Sequence, residues 1–281
     1  MRHPDVPESL EGWWILHRMF AVDRRAWQSR SGKQQKVRLA EAHRLLSDVA
    51  TSSESDVGVT ALIGHKGELM LTHYAKSFEQ LADIQTRVDS LALSEFLTAR
   101  SSYVSVLELG LYEATAKIHS ELAVRVLKPH SQEWNDAFDA LLEEQVKNPR
   151  NAGRLWARMP KRRNVCFYPM DKKRGETLNW YMLPYIERAK LMLDHGKIGR
   201  TFHGLVTQVI SGSIGYDDWE WGVDLYADDP LIFKKLIYEM RFDEASAKYA
   251  SFGKFYTGLQ FSLEELPVFL SGERVPQLIT A

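Results

Sequence analysis

The chain has 281 residues, 44% of them hydrophobic and 26% charged, with a formal net charge of −1. That balance gives no electrostatic pull toward nucleic acid or an anionic membrane surface, and no apolar run reaches the ~20 residues that span a bilayer. The single cysteine, Cys166, excludes an internal disulfide and a thiolate-rich zinc site, and fits a reducing cytoplasm.

The opening residues, MRHPDVPESLEGWW, lack the charged-then-apolar pattern of a secretory signal. Residues Trp13 to Val22 read as a strand. Lys33 to Val49 read as a helix, with Val37, Leu39, Ala42, Leu45 and Leu46 near helical spacing. Val57 to Ile63 and Leu69 to Tyr74 flank His65-Lys66-Gly67, a hairpin signal. Phe78 to Thr98 reads as one helix through Leu81, Ile84, Val88, Leu91 and Leu97. Tyr103 to Tyr112 is strand-like, so the order is β-α-β-β-α-β. The segment from Thr115 to Pro160 then carries one amphipathic helix, around Trp134 to Val146.

The second half repeats the order. Asn164 to Met170 is a short strand. A helix starts near Pro184, whose missing N–H suits a first turn, and ends at Gly196 as a C′ residue. Gly204 to Ile210 and Trp219 to Tyr226 make a hairpin around SGSIGYDD. Asp228-Asp229-Pro230 opens a helix running to about Tyr249, and Phe255 to Phe261 closes the unit as a strand. The predicted fold is α+β: two ferredoxin-like β-α-β-β-α-β repeats packed sheet to sheet as a dimeric α/β-barrel. Residues 1–115 form the N-terminal repeat (scaffold and interface), 116–160 the connecting helical segment and 161–281 the C-terminal repeat. The 8 Trp, 11 Tyr and 12 Phe suggest an aromatic core and oligomer contacts.

Chemistry concentrates in the second half. On an extended strand Tyr168, Met170 and Lys172 point the same way, a phenol, a thioether and an ammonium on one face. A buried lysine there needs an anionic partner. Pro169 cannot donate to a ladder, which makes this an edge strand or its end. The alternative, favoured on composition alone, is a surface strand ending in a solvated basic turn. His195 follows Leu191 and Met192 on an apolar stripe. It is a candidate iron ligand, or else an imidazolium complementing the helix dipole. A ligand would need an acceptor on its other ring nitrogen, and the sequence does not name one. Gln208 shares an apolar strand face with Val206 and Ile210. It is either a lone polar group aimed into a dry pocket or an amide bonded to backbone. Arg241 and Ser246 are candidate carboxylate anchors, against a salt-bridged helix face; Arg154 is ambiguous in the same way.

Together, YPMDKKR (168–174), NWYMLP (179–184), HGKIGRTFHG (195–204), VTQVISGSIGYDDWEWGVDLYADDP (206–230) and YEMRFDEASAKYASFGKFYTG (238–258) resemble the coproheme decarboxylase branch of the chlorite dismutase-like proteins. GWWILHRMFAVDRRAW (12–27) is similar to that family's first strand.

The resemblance implies that Tyr168 is the catalytic tyrosine, oxidised to a radical, and that Lys172 assists at the reacting propionate. It implies His195 as proximal iron ligand, Gln208 on the distal side, and Arg154, Met170, Arg241 and Ser246 lining the porphyrin carboxylate sites. The implied reaction turns two propionates of iron coproporphyrin III (coproheme, both substrate and redox cofactor) into vinyl groups with hydrogen peroxide, giving haem b. The C-terminal repeat would then be the haem-binding one. A ring-shaped homopentamer in the cytoplasm is implied, and a transient contact with a ferrochelatase stays open. Chlorite dismutases resemble this branch but carry a distal arginine, where this chain has Gln208. Some members use a distal histidine, and no histidine stands between His130 and His195. The alternatives are a chlorite dismutase or haem peroxidase, and a non-enzymatic haem carrier or sensor.

Overall fold

The computed structural model describes residues 6–109, 111–125, 127–129 and 131–279, without the side chains of residues 111, 113 and 114. His3, His130 and the first residues read for a leader lie outside the described residues. In chain order the elements are β1 (Leu10–Val22), α1 (Arg24–Gln28), α2 (Gly32–Thr51), β2 (Ser55–Leu62), β3 (Leu69–Ala75), α3 (Phe78–Asp89), β4 (Leu97–Leu109), α4 (Leu111–Val124), α5 (Gln132–Lys147), α6 (Pro149–Leu155), β5 (Asn164–Lys172), α7 (Tyr185–Thr201), β6 (Val206–Gly212), β7 (Trp221–Ala227), α8 (Leu231–Met240), α9 (Glu244–Tyr249), β8 (Ala250–Phe252), β9 (Tyr256–Phe261) and α10 (Leu266–Ser271).

The first four strands lie in the order β4-β1-β3-β2, and β9-β5-β7-β6 repeat that arrangement in the second half. These are the two ferredoxin-like units expected from the sequence. They meet edge to edge as well as face to face. β4 pairs with β6 through Val106↔Gly212 and Leu107↔Ser211, and β2 pairs with β9 from Val59↔Phe261 to Leu62↔Gly258. Both repeats thus close one barrel within a single chain, which leaves few free edges. Each seam carries a glycine. A Cβ on Gly258 would collide with the Ala61 carbonyl oxygen, and one on Gly212 would collide with the Glu108 carboxyl.

Strand alternation divides the side chains between the barrel interior and the outer faces under the helices. Trp13, Ile15, Tyr74, Tyr103, Phe167 and Tyr226 fill the interior. His17 and Asp224, both 0% exposed, bridge it: His17 Nε2 lies 2.9 and 3.1 Å from the two carboxylate oxygens. Outside the first repeat, α2 is capped by Ser31 and Gln34 in a reciprocal capping box, and it packs Ala42, Leu45, Leu46 and Val49 onto the sheet. Among the described residues no helix is long and apolar enough to cross a membrane.

Several boundaries differ from expectation, each for a local reason. The helix from Phe78 ends at Asp89, because Leu91 is already extended. Leu91, Leu93 and Phe96 continue the apolar rhythm as plugs of the same core, and the Ser94 hydroxyl donates to the Val88 carbonyl, which also accepts from the Leu91 N–H. The connecting segment holds three helices, α4, α5 and α6, where one was read. The helix from Tyr185 runs through Gly196 to Thr201, and the left-handed glycine beyond its end is Gly204. The expected helix to Tyr249 is two, because Asp243 restarts it by accepting from the Ser246 N–H. β5 is not an edge strand: it pairs with β7 along its length, with β9 before Pro169 and with β8 after it. The Pro169 carbonyl accepts from Gly253 on that second side, so the nitrogen without a hydrogen faces the break between β8 and β9 and no ladder bond is lost.

Candidate active site

The outer face of the second repeat carries the residues singled out in the sequence. Alternation puts Cys166, Tyr168, Met170 and Lys172 of β5 on that face, with Trp221, Val223 and Leu225 of β7 and Val206, Gln208 and Ile210 of β6. The register lines them up in rows: Tyr168 beside Val223 beside Ile210, Cys166 beside Leu225 beside Gln208, and Met170 beside Trp221 beside Gly212.

This face is covered differently from its counterpart. In the first repeat α2 rests directly on β2. In the second, the main neighbours of α7 are the helices α4, α8 and α9. Of its own residues only Arg188 and Leu191 are buried, and Leu191 packs with Trp180, Ala245 and Tyr249 rather than with the sheet. Ile210 is therefore 42% exposed on a strand face that points toward helices. The result is a slot between an apolar sheet and a helix that stands off it. Gly199 on α7 faces that slot, since a Cβ there would meet Met240 Cε at 3.3 Å and Gln208 Nε2 at 3.6 Å. His195 lies one turn earlier on the same helix face. Gln208 and His195 thus belong to opposite walls.

His195 is mid-helix, which removes the helix-dipole alternative. Its Nδ1 lies 3.0 Å from Asp243 Oδ2 and 3.4 Å from Ser246 Oγ. Burial pushes the Asp243 carboxyl up, but hydrogen bonds from His195 and Ser246 outweigh it and hold the group below its ordinary value. An ionised Asp243 fixes the proton on Nδ1 and leaves Nε2 with its lone pair. Among the described residues Nε2 has no hydrogen-bond partner. The sequence alone does not name this acceptor. The signal was present in the Asp-x-x-Ser capping pattern at Asp243–Ser246.

Tyr168 is 5% exposed and stacks on Phe255, with ring centroids 4.5 Å apart. Burial raises its pKa, the neighbouring Cys166 adds to this, and Arg241 opposes it, so the phenol keeps its hydrogen at physiological pH. Arg241 lies with its guanidinium 4.8 Å from the Phe252 ring centroid. Lys172 is 6% exposed, its Nζ 4.5 Å from the Trp180 ring centroid. Burial pushes its pKa down to about 8, against the pull of Asp243 and Glu220. Asp243 therefore acts on both Lys172 and His195. At the Lys172 end a cavity of about 410 Å³ opens between Lys172, Lys173, Arg174, Thr177, Leu178 and Ser251.

Tyr168, Met170, Lys172, His195, Gln208, Arg241 and Ser246 thus come together around one slot. Ser246 is turned to His195, not to open solvent. Arg154 is not brought in: it is exposed on α6, which packs on β1 and β4, and its side chain has no hydrogen bond or ion pair among the described residues. Asp243, Gly199 and Trp180 were not singled out from the sequence.

A family model described as chlorite dismutase matches residues 35–261. The chain is 37% identical to a heme-binding protein from Thermus thermophilus, with a TM-score of 0.80 over 96% of this chain and 99% of that one. It is 17% identical to a mutant chlorite dismutase from Candidatus Nitrospira defluvii, with a TM-score of 0.69 over 92% of this chain and 96% of that one; at such identity the likeness is one of fold.

Proposed function

This chain belongs to the chlorite dismutase family, and from that premise we propose that it is an oxidative decarboxylase of coproheme, using hydrogen peroxide to convert two propionates to vinyl groups and give haem b. The observation that carries this reading is the shared face of Tyr168, Met170, Lys172 and Gln208, set opposite a carboxylate-bonded His195.

The residues present fit a tetrapyrrole. Among the described residues no group of three or more His, Cys, Asp or Glu side chains could hold a bare metal ion. One imidazole with a free Nε2 and a carboxylate on Nδ1 suits an iron already held by four macrocycle nitrogens. The apolar rows on β5, β6 and β7 suit a flat ring, and a side chain at Gly199 would press on Met240 and touch Gln208. Arg241 and Lys172 offer cations to its carboxylates. When bound, coproheme supplies the oxidising power with peroxide, and its own arms are the substrate.

Each arm follows a fixed balance: propionate, one hydrogen peroxide and one proton give vinyl, carbon dioxide and two waters. Tyr168 gives up its hydroxyl hydrogen and in turn takes one from the β-carbon of the adjacent propionate. Loss of carbon dioxide and one further electron leaves the vinyl group. Lys172 Nζ, poised near neutrality, pairs with the carboxylate and moves a proton there. Gln208 presents an uncharged amide, which suits peroxide better than an anionic oxidant such as chlorite.

The test is to mix the purified protein with iron coproporphyrin III and peroxide and follow the porphyrin by mass. Two successive losses of carbon dioxide with two hydrogens support the reading. Unchanged porphyrin with oxygen released from chlorite makes the protein a chlorite dismutase; binding without either reaction makes it a carrier. Asp243→Asn should weaken iron coproporphyrin binding by about 10–100-fold, the usual effect of removing a metal ligand's hydrogen-bond partner. It should also shift the ferric absorption bands. His195→Ala should change those bands more strongly, and an unchanged spectrum would remove His195 as ligand.

A further inference from the structure

A carboxyl that the proposed chemistry does not use lies on the same sheet face, one row beyond Tyr168. Glu108 is on β4, beside the seam where the repeats join. It points outward, and its carboxyl covers Gly212, whose lack of a Cβ makes room for it. Glu108 Oε1 accepts a hydrogen bond of 2.8 Å from Trp221 Nε1. Trp221 is the cross-strand partner of Met170, and two residues on Val223 is the partner of Tyr168. The indole thus links the seam to the strand that carries the phenol.

A second carboxyl stands against the first. Glu11 on β1 is directly opposite Glu108 in the ladder, which places their Cβ atoms about 5 Å apart on one face. Two carboxylates so placed resist double ionisation. Glu11 is exposed and accepts from the Ser9 hydroxyl. Glu108 is half-buried and is the member that retains the proton. Burial and, after it, the Glu11 charge push the Glu108 pKa up to about 7, against the Trp221 hydrogen bond. β6 offers Gly212 and Ser211, Glu108's own strand offers the Tyr103 phenol, and α6 carries Arg150 and Arg154, both exposed.

We propose that Glu108 is a proton-holding positioning residue, acting through the Trp221 indole on the strand face that carries Met170 and Tyr168. Its ionised form is a charged acceptor for the indole N–H, and its protonated form a weaker one, so Trp221 is held differently in the two states. The use of that proton rests on the decarboxylase reading, in which every arm converted consumes one.

The proposal is tested on the porphyrin-free protein, by following tryptophan fluorescence against pH and subtracting the same titration of Trp221→Phe. The expected difference signal has a midpoint near 7 and vanishes in Glu108→Gln. In Glu11→Gln, an exposed change that leaves the fold intact, the midpoint should fall by about half a pH unit or more as a neighbouring charge is removed. A midpoint in the ordinary carboxylate range, a transition that survives Glu108→Gln, or a midpoint unmoved by Glu11→Gln overturns the proposal. Stability gives a second readout. The folded-state pKa is raised above the ordinary value of 4.5, so the folded chain binds more protons between those two values. This group's contribution should therefore decline as pH rises from 4.5 to about 7, and Glu108→Gln should remove that slope. Since neither measurement contains porphyrin, a failure of the decarboxylase reading leaves both results standing and is seen separately.

Discussion

Tyr168→Phe should bind iron coproporphyrin III with unchanged affinity and leave its propionates intact. The ring stacks on Phe255 and lies near Phe252, and phenylalanine keeps both contacts. Among the described residues the hydroxyl has no hydrogen-bond partner, so its removal strands no buried group. What is lost is the O–H hydrogen itself, which burial preserves by keeping the phenol un-ionised. Turnover should fall by about a thousandfold or more, equivalent to roughly 4 kcal/mol of transition-state stabilisation. Porphyrin mass and an optical titration measure the two quantities separately. Haem b formed at the wild-type rate would end the assignment of Tyr168. Weakened binding would instead mean that the hydroxyl anchors a carboxylate.

Asp224→Ala should be the most destabilising single change away from the slot, by about 3–5 kcal/mol, because it breaks a fully buried charge-capable pair and leaves His17 Nε2 alone. His17 comes from the first repeat and Asp224 from the second, so the pair ties the barrel's halves through its interior. His17 also stacks on Phe167, ring centroids 3.9 Å apart, directly before Tyr168 in β5. The loss corresponds to a fall in Tm on the order of 10 °C. Asp224→Asn keeps an acceptor oxygen and should lose less. Thermal and denaturant unfolding check both. A loss under about 1 kcal/mol would mean that the pair is worth no more than an exposed one.

The wider relation between sequence and structure is seen in where expectation and fold part. Apolar patterning located β1, α2, the β2–β3 hairpin and the strands of the second repeat, since α2 buries one stripe and strands such as β3 are buried on both faces. It overran at Leu91–Phe96, because apolar side chains that plug a core do not reveal whether the backbone under them is helical. It also ran α8 into α9, and that break is what turns Arg241 and Asp243 toward the slot. Pro169 misled for a related reason: a proline forbids one hydrogen bond, and only the pairing of β5 with β8 and β9 discloses that none was needed there.

Local chemistry, written in residue type and order, determined the repeated β-α-β-β-α-β pattern and put a phenol, a thioether and an amine on one face of β5. The tertiary structure alone decided that β4–β6 and β2–β9 close a barrel, that α7 stands away from its sheet, and that Asp243 meets His195 across 48 residues of chain. The physical reason is range. Propensity and periodicity act over a few residues, while seams, slots and ion pairs depend on distances that only packing fixes.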